Sequence, residues 1–223
     1  MLDLFCGRWG WSRAFAARGW ECVGVDLVES PEIPKGCEFI PMNVLSLIAS
    51  EGYVFGLNGD QFCTQDEYRI PLGPFDFICA SSPCEQFSVH GMKHFHPNPP
   101  YPELGIKLFN HTRAICEESG VPYVMENVRA AQQFVGQAVH HCGPFYLWGN
   151  GVPPIMPQGI IKGMTRLALG YREQKGQPGW NTKNECQLKR KRAEENAGTA
   201  ATIPPELANC VADYAERLLE VTA

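Results

Sequence analysis

The chain has 223 residues, 44% of them hydrophobic, and a formal net charge of −5. This length suits one α/β domain with a small appendage and hardly two complete domains. We find no apolar run near the roughly 18 residues of a membrane span and no signal-peptide pattern at the N-terminus. Ten cysteines are scattered without a C-x-x-C pair, so we expect reduced thiols in a cytoplasmic protein rather than a disulfide scaffold.

Short apolar runs alternate with helix-like stretches over the first 150 residues. Strands are predicted at Met1–Phe5, Cys22–Asp26, Glu38–Pro41, Phe75–Ala80, Pro122–Glu126 and Phe145–Trp148. Helices are predicted at Ser12–Arg18, Val44–Ser50, Leu104–Glu118 and Pro204–Leu219. This alternation predicts an α/β fold with a doubly wound, mostly parallel sheet, whose ligands bind beyond the carboxyl ends of the strands.

Two stretches interrupt the alternation. Residues 53–74 are polar and carry several glycines and prolines, which predicts an irregular insertion. Residues 151–192 show no clear period, which predicts a small irregular lobe after a first domain of residues 1–150. Residues 193–223 then supply a C-terminal helix that returns to that domain.

The predicted lobe is basic although the chain is acidic. Between Ile160 and Arg192, nine basic residues stand against two acidic ones, a local balance of +7, so the rest of the chain carries −12. Such a segment predicts contacts with phosphates, and the alternative is a solvated linker. The side chains that we expect to contact nucleic acid from this lobe are Lys162, Arg166, Lys189, Arg190, Lys191 and Arg192.

A glycine turn follows the first strand in the run Asp-Leu-Phe-Cys-Gly-Arg-Trp-Gly, residues 3–10. Gly7 and Gly10 let backbone amides approach a ligand, and the following helix N-terminus favours a negative group. Asp26 ends the next strand, where an acidic side chain can accept hydrogen bonds from ribose hydroxyls. The turn and Asp26 together predict a site for a nucleotide-like cofactor.

Two further motifs carry chemistry. Pro83 and Cys84 follow the strand Phe75–Ala80, which places a thiol, a good nucleophile as thiolate, at the ligand edge of the sheet. The strand before Val128 ends in Glu126 and Asn127, whose carboxyl is expected to face the same crevice. The alternatives are a buried cysteine in a turn and a Glu-Asn helix cap.

These motifs, in this order, resemble the cytosine-C5 DNA methyltransferase family, and the short chain is similar to its phage-type members. The resemblance covers about residues 1–30, 75–91 and 101–129, with a weaker match at Ala200–Ala208. It implies a Rossmann-like class I methyltransferase fold, S-adenosyl-L-methionine as the cofactor and DNA, with a flipped-out cytosine, as the partner. We expect a monomer without a membrane segment.

The resemblance also implies roles for individual residues. Cys84 would add to C6 of the cytosine, and Glu126 would contact N3 and the exocyclic amine. The addition turns the ring into an enamine, which makes the poorly nucleophilic C5 reactive. The residues expected to bind the cofactor are Phe5, Gly7, Gly10, Asp26, Leu27, Asn43, Val44, Ser82 and Pro83. Additional nucleic-acid contacts are expected from Gln86, Ser88 and Arg129, and no residue is expected to bind a metal.

Four positions depart from the family pattern. Trp9 stands where the family has glycine, so an indole would reshape or cover the methionine pocket. Asn43 replaces the acidic residue that contacts the adenine amine. The family's Gln-x-Arg-x-Arg motif is absent, and residues 140–144 occupy its approximate place. Ala200 and Ala201 stand where the family has a Gly-Asn pair.

Other functions remain open from the sequence. An RNA cytosine methyltransferase is the alternative enzyme, and a catalytically silent nucleic-acid-binding module with the same fold is the alternative outside enzymes. His90, His94 and His96 have spacing that could hold a metal. We favour instead a loop at residues 89–100 that closes over the flipped base.

Overall fold

A computed structural model describes residues 1–50, 53–57, 69–88, 101–158 and 202–222. The strands in these ranges are β1 (Leu2–Leu4), β2 (Cys22–Asp26), β3 (Cys37–Pro41), β4 (Leu47–Ser50), β5 (Tyr53–Leu57), β6 (Arg69–Pro74), β7 (Ile78–Ser81), β8 (Tyr123–Asn127), β9 (His140–Cys142) and β10 (Phe145–Trp148). The α-helices are α1 (Ser12–Ala16), α2 (Glu103–Ser119), α3 (Gln132–Val135) and α4 (Pro205–Thr222). Short 3-10 helices cover Val44–Ser46 and Arg129–Ala131.

Seven strands form one mixed sheet in the order β3-β2-β1-β7-β8-β10-β9. β1, β2, β3, β7 and β8 run parallel, whereas β10 is antiparallel to both of its neighbours. The chain passes outward from β1 to β3 and then crosses back to β7, on the other side of β1. This reversal is a topological switch point, where open α/β sheets bind their ligands beyond the carboxyl ends of the strands. The predicted mostly parallel α/β sheet is confirmed.

Helices cover both faces of this sheet, as a mostly parallel sheet requires for burial of its apolar strands. On one face, α1 and α4 share a core with β2, β7, β8, β9 and β10. The apolar residues of α4 form one stripe, consisting of Leu207, Ala208, Val211, Ala212 and Ala215. On the other face, α2 packs against the sheet through Phe109, Ile115 and Cys116.

The segment after β3 corrects two predictions. The predicted helix Val44–Ser50 begins with one 3-10 turn but continues as β4, which pairs antiparallel with β5. The predicted irregular insertion, residues 53–74, contains β5 and β6, and with β4 these strands form a three-stranded antiparallel sheet. A short apolar run such as 44–50 is compatible with helix and strand alike, and here the neighbouring strands decide between them.

The end of the first domain also differs from the prediction. β9 was not predicted, and it forms the edge of the large sheet beside β10. The first part of the predicted lobe, residues 151–158, packs on the sheet, because Val152 is buried and the Gly151 amide donates to the Tyr123 carbonyl at 2.9 Å. The remainder of the lobe and the predicted closing loop, residues 89–100, lie outside the described residues. In the ranges given above, no helix has the length and apolar character to cross a membrane.

Candidate active site

Most of the predicted site residues follow the carboxyl ends of neighbouring parallel strands. The sheet order brings the ends of β3, β2, β1, β7 and β8 to one edge. The predicted residues found at this edge are Phe5, Gly7, Gly10, Asp26, Leu27, Asn43, Val44, Ser82, Pro83, Cys84, Gln86, Ser88, Glu126 and Arg129. The predicted nucleic-acid contacts Lys162, Arg166, Lys189, Arg190, Lys191 and Arg192 lie outside the described part of the chain.

The turn after β1 has a strained backbone. Phe5 has φ +61°, which is unusual for an aromatic residue, and its amide and that of Cys6 both donate to the Val25 carbonyl, at 2.9 and 3.3 Å. Gly7 follows with φ +45°, where glycine avoids the strain of a side chain. Strained residues of this kind are concentrated at functional sites. The half-buried Phe5 ring therefore sits at the switch point in a conformation that local sequence preference does not explain.

Asp26 is oriented by two backbone amides. Its Oδ2 accepts a hydrogen bond from the Gly7 amide at 3.0 Å, and its Oδ1 accepts one from the Leu27 amide at 2.7 Å. A carboxylate offers about four acceptor positions, so two of them remain for a ligand. Because Asp26 is partly exposed beside the β1 turn, this arrangement suits recognition of a diol.

Trp9 points into the core and not into the crevice. It has φ +62° and no exposed surface. Its ring lies against Gly24, where a Cβ would be 2.3 Å from the indole, and contacts Phe39 edge-on at a centroid distance of 6.2 Å. Trp9, which was expected to reshape or cover the methionine pocket, thus fills the space beneath the turn.

The C-terminal segment packs on the same turn. A Cβ at Gly10 would lie 2.9 Å from the Cβ of Ile203, so only glycine allows the two backbones to approach this closely. Ile203 is buried just before α4 begins. Arg18 then joins α1 to α4 by donating to the side chains of Asn209 and Asp213. Residues 202–208, the described part of the weak C-terminal match, therefore pack against the β1 turn through Ile203.

The turn that carries Cys84 is held by buried hydrogen bonds. The Asn127 Nδ2 donates to the Ser82 backbone oxygen and to its hydroxyl, each at 3.0 Å. The Cys84 carbonyl accepts from the amides of Phe87 and Ser88, at 3.1 and 3.0 Å, and the fully buried Phe87 ring anchors the turn. Cys84 itself is partly exposed. The alternative reading of Cys84 as a buried turn residue does not fit this exposure.

Glu126 lies directly beside the strand that leads to Cys84. Its Cα pairs in register with that of Ser81, three residues before Cys84, and its side chain is 8% exposed. Ser81 in turn accepts a hydrogen bond from the Trp11 indole at 3.0 Å, which connects β7 to the β1 turn. The buried Glu126 therefore lies at the same carboxyl edge of the sheet as the turn that carries Cys84.

Cys84 is distinguished from the other described thiols by its position. Burial raises the pKa of Cys6, Cys79 and Cys116, which makes these thiols poor nucleophiles. Cys37 and Cys210 are partly exposed, as Cys84 is, but Cys37 begins β3 and Cys210 lies in α4. Among the described cysteines, only Cys84 is partly exposed in a turn at the carboxyl edge of the sheet.

Asn43 and Val44 occupy the end of β3. The Asn43 Oδ1 accepts from the Leu45 amide at 3.0 Å, which caps the 3-10 helix. From the opposite side, His111 Nε2 lies 3.1 Å from the carbonyl oxygens of both Val44 and Leu47. No sequence signal predicted this role of His111, which fixes the predicted adenine-binding segment against α2.

The predicted nucleic-acid contacts near Cys84 have local partners. The Gln86 Oε1 accepts from the Gly105 amide at 2.7 Å, so this side chain connects the Cys84 turn to the start of α2. The Ser88 hydroxyl donates to the Glu85 carbonyl at 3.0 Å. Arg129 is exposed after β8. These contacts give Gln86 a positioning role that the sequence did not predict.

The histidines near the approximate place of the missing arginine motif lie on β9. The His141 ring stacks on Tyr146 at a centroid distance of 5.1 Å and is exposed. Within the described ranges, no group of three or more His, Cys, Asp or Glu side chains is arranged to hold a metal ion. The predicted metal alternative at His90, His94 and His96 falls outside these ranges.

Asp3 is a buried acid that the sequence did not single out. Its Oδ2 accepts from the amide and hydroxyl of Ser12, at 3.2 and 2.6 Å, and so fixes the start of α1. Burial raises the pKa of Asp3 to about 7, and the hydrogen bonds from Ser12 offset this only in part. An acidic residue between Leu2 and Leu4, in an otherwise apolar strand, is the sequence signal that could have indicated this buried acid.

No protein-family model matches the chain, and no curated protein matches it significantly. Any function assigned to the site therefore depends on its residues and their geometry.

Proposed function

We propose that this protein is an S-adenosylmethionine-dependent DNA methyltransferase that methylates cytosine at C5 with Cys84 as its nucleophile. The observation that carries the proposal is that Cys84 follows β7 and Glu126 lies near the end of β8, two adjacent parallel strands whose carboxyl ends meet beside the switch point between β1 and β7. A thiol and a buried carboxyl side by side suit nucleophilic addition to a ring that is hydrogen-bonded at the same time. The mostly parallel sheet, with helices on both faces, supports a Rossmann-like class I methyltransferase.

The residues of the β1 turn fit the cofactor. The strained, half-buried Phe5 offers a ring face for an adenine, and Asp26 has acceptor positions left for the two ribose hydroxyls. Gly7 keeps a side chain out of the turn, which leaves room for the methionine part, whereas the space beside Gly10 is filled by Ile203. S-adenosylmethionine supplies the electrophilic methyl group of the reaction.

Cys84 and Glu126 would have different roles in the reaction of the cytosine. A base inside a duplex is out of reach, so the cytosine is flipped out. The Cys84 thiolate forms a bond to C6, and the electrons of the C5–C6 double bond shift into the ring. Glu126 would hold N3 and the exocyclic amine while C5 becomes nucleophilic and takes the methyl group, whose bond to the cofactor's sulfur breaks as S-adenosylhomocysteine leaves. Loss of the C5 proton to solvent would then expel the Cys84 thiolate and restore the aromatic ring.

The chain's charge distribution supports a nucleic-acid substrate. The segment from Ile160 to Arg192 carries a local charge of +7 on an otherwise acidic chain. Cationic side chains on such a segment attract phosphates and dominate affinity for nucleic acid. This support comes from the sequence, since the segment lies outside the described residues.

Nucleoside analysis tests the proposal. Duplex DNA, single-stranded DNA and RNA are each incubated with the protein and methyl-deuterated S-adenosylmethionine, then digested and analysed by mass spectrometry. We expect deuterated 5-methyldeoxycytidine from DNA, and less than about a tenth of the wild-type kcat in Cys84→Ser, which should still bind the cofactor. If deuterated 5-methylcytidine is found in the RNA sample and no methylated nucleoside is found in DNA, the substrate is RNA. No methylated nucleoside from any substrate would reject the enzyme in favour of a silent binding module.

A further inference from the structure

Two cysteines lie side by side at the end of the sheet opposite the candidate active site. Cys22 is the first residue of β2 and Cys37 the first residue of β3, and the two pair in register across parallel strands. Adjacent strands are about 4.7–4.9 Å apart, within the 4.4–6.8 Å range of Cα separations that disulfides span. Both side chains lie on the face of the sheet that α1 and α4 cover.

The two neighbouring thiols shift each other's pKa, lowering that of Cys37 and raising that of Cys22. The Cys22 thiol itself donates to the backbone oxygens of Ser12 and Trp20, each at 3.7 Å. Arg13 adds a favourable charge for the Cys37 thiolate, whereas Asp3 opposes it. Cys37 is partly exposed and Cys22 is buried. The pair therefore consists of a partly exposed sulfur whose pKa is lowered and a buried partner that faces it in register on the adjacent strand.

We propose that Cys22 and Cys37 form an oxidation site at which peroxides convert two thiols into an intrachain disulfide. The Cys37 thiolate attacks one peroxide oxygen, breaks the O–O bond and becomes a sulfenic acid, while the other oxygen leaves as hydroxide and is protonated to water. The Cys22 sulfur then attacks the sulfenic sulfur, and the hydroxyl leaves as a second water. The two thiols lose two electrons and two protons in total, and hydrogen peroxide takes them up as two waters.

The disulfide would close a loop that carries part of the candidate site. The residues between the two cysteines include Asp26 and Leu27. A cross-link across a loop of this length restricts the unfolded chain and is expected to raise Tm by roughly 5–10 °C. Cys142 and Cys210 provide a comparison, since they lie on β9 and on α4 and are not paired in register on adjacent strands as Cys22 and Cys37 are.

Peptide mapping after oxidation tests the proposal without reference to enzyme activity. The full chain carrying Cys84→Ser, which removes the candidate nucleophile from the oxidation, is treated with hydrogen peroxide, and remaining thiols are alkylated. Digestion after Lys35 and Glu38 without reductant separates Cys22 from Cys37, and Cys37 from Cys63. We expect a Cys22–Cys37 linked peptide, lighter by two hydrogens than the reduced pair, as the main disulfide, together with a Tm increase that dithiothreitol reverses.

Two further variants control the experiment. Cys210→Ser should still form the linked peptide, whereas Cys37→Ser should lose both it and the increase in Tm. The proposal is overturned if Cys37 is driven to sulfinic acid while Cys22 remains alkylatable only after unfolding. It is also overturned if the linked peptide appears only in denatured protein, or if Cys37 joins Cys63 or another cysteine instead.

Discussion

The side-chain amide of Asn127 donates to both the backbone oxygen and the hydroxyl of Ser82, each at 3.0 Å. Asn127 has no exposed surface, and its side-chain Oδ1 accepts a hydrogen bond from the Val128 amide at 2.8 Å. Ser82 stands two residues before Cys84, and Asn127 directly follows Glu126. One amide therefore fixes the position of the proposed nucleophile relative to the proposed base-binding carboxyl.

We predict that Asn127→Ala lowers stability by about 1–3 kcal/mol, since it leaves buried groups of Ser82 unpaired. The rate of methyl transfer should fall further than stability alone explains. Asn150→Ala is the matched control, because Asn150 Oδ1 accepts from the Tyr123 amide at the opposite end of β8. Denaturant unfolding and single-turnover rates are measured for both. Equal losses of activity in the two variants would show that Asn127 has only a structural role.

Asp26 should account for a defined part of cofactor affinity. We predict that Asp26→Ala weakens binding of S-adenosylmethionine by about 1.5–3 kcal/mol, the range for hydrogen bonds to a charged group. Glu29→Ala removes an exposed acid from the same loop and should change little. Calorimetry checks both variants. Unchanged affinity in Asp26→Ala would refute the ribose role.

Glu126 should act in the chemical step. We predict that Glu126→Gln slows methyl transfer by about 10²–10⁴-fold, the usual contribution of a positioned acid or base. Glu85→Gln changes an exposed acid next to Cys84 and serves as the control. Single-turnover kinetics separate chemistry from product release. A near-normal rate in Glu126→Gln would leave Glu126 a structural residue at the end of β8.

Asp3 should make stability depend on pH. Its pKa is raised from 3.8 to about 7, so the folded chain holds the proton more tightly than the unfolded chain. The resulting stability is fully present below pH 3.8 and is lost as the pH rises through about 7, by at most roughly 1.4 kcal/mol per pH unit. Asp3→Asn should remove this loss.

Denaturant unfolding of wild type and Asp3→Asn at pH 5 and pH 8 measures the effect. The variant should gain stability relative to wild type at the higher pH. Asp76→Asn, at an exposed position, should show no such gain. If wild type and Asp3→Asn differ equally at both pH values, ionisation of Asp3 does not affect folding.

Six strands of the large sheet were predicted because each appears in the sequence as a short, bounded apolar run. β2 and β10 have the predicted bounds, Cys22–Asp26 and Phe145–Trp148. The small antiparallel sheet was missed because β5 and β6 carry glycine and proline and depend on pairing with each other. The burial of the Trp9 side chain could not be predicted from the sequence either, since it depends on a positive φ at Trp9 and on the space left by Gly24.

The candidate site was predictable where it depends on topology. Cys84 and Glu126 come together because the ends of parallel strands share one edge of a sheet, which the alternation of elements already implied. The contacts that hold them could not be predicted, because Asn127–Ser82 and Gln86–Gly105 join residues 45 and 19 positions apart. Such pairs depend on strand register, which a single sequence does not reveal.

A covalent bond between Cys84 and cytosine is the central claim, and trapping it is the most direct test. DNA copied with 5-fluorodeoxycytidine carries a fluorine that cannot leave C5 as a proton does, so the adduct should persist after methyl transfer. With S-adenosylmethionine, we predict a complex that survives denaturation and maps by peptide mass spectrometry to Cys84. It should be absent in Cys84→Ser. Methylation of ordinary cytosine without any adduct at Cys84, or an adduct that persists in Cys84→Ser, would contradict the mechanism.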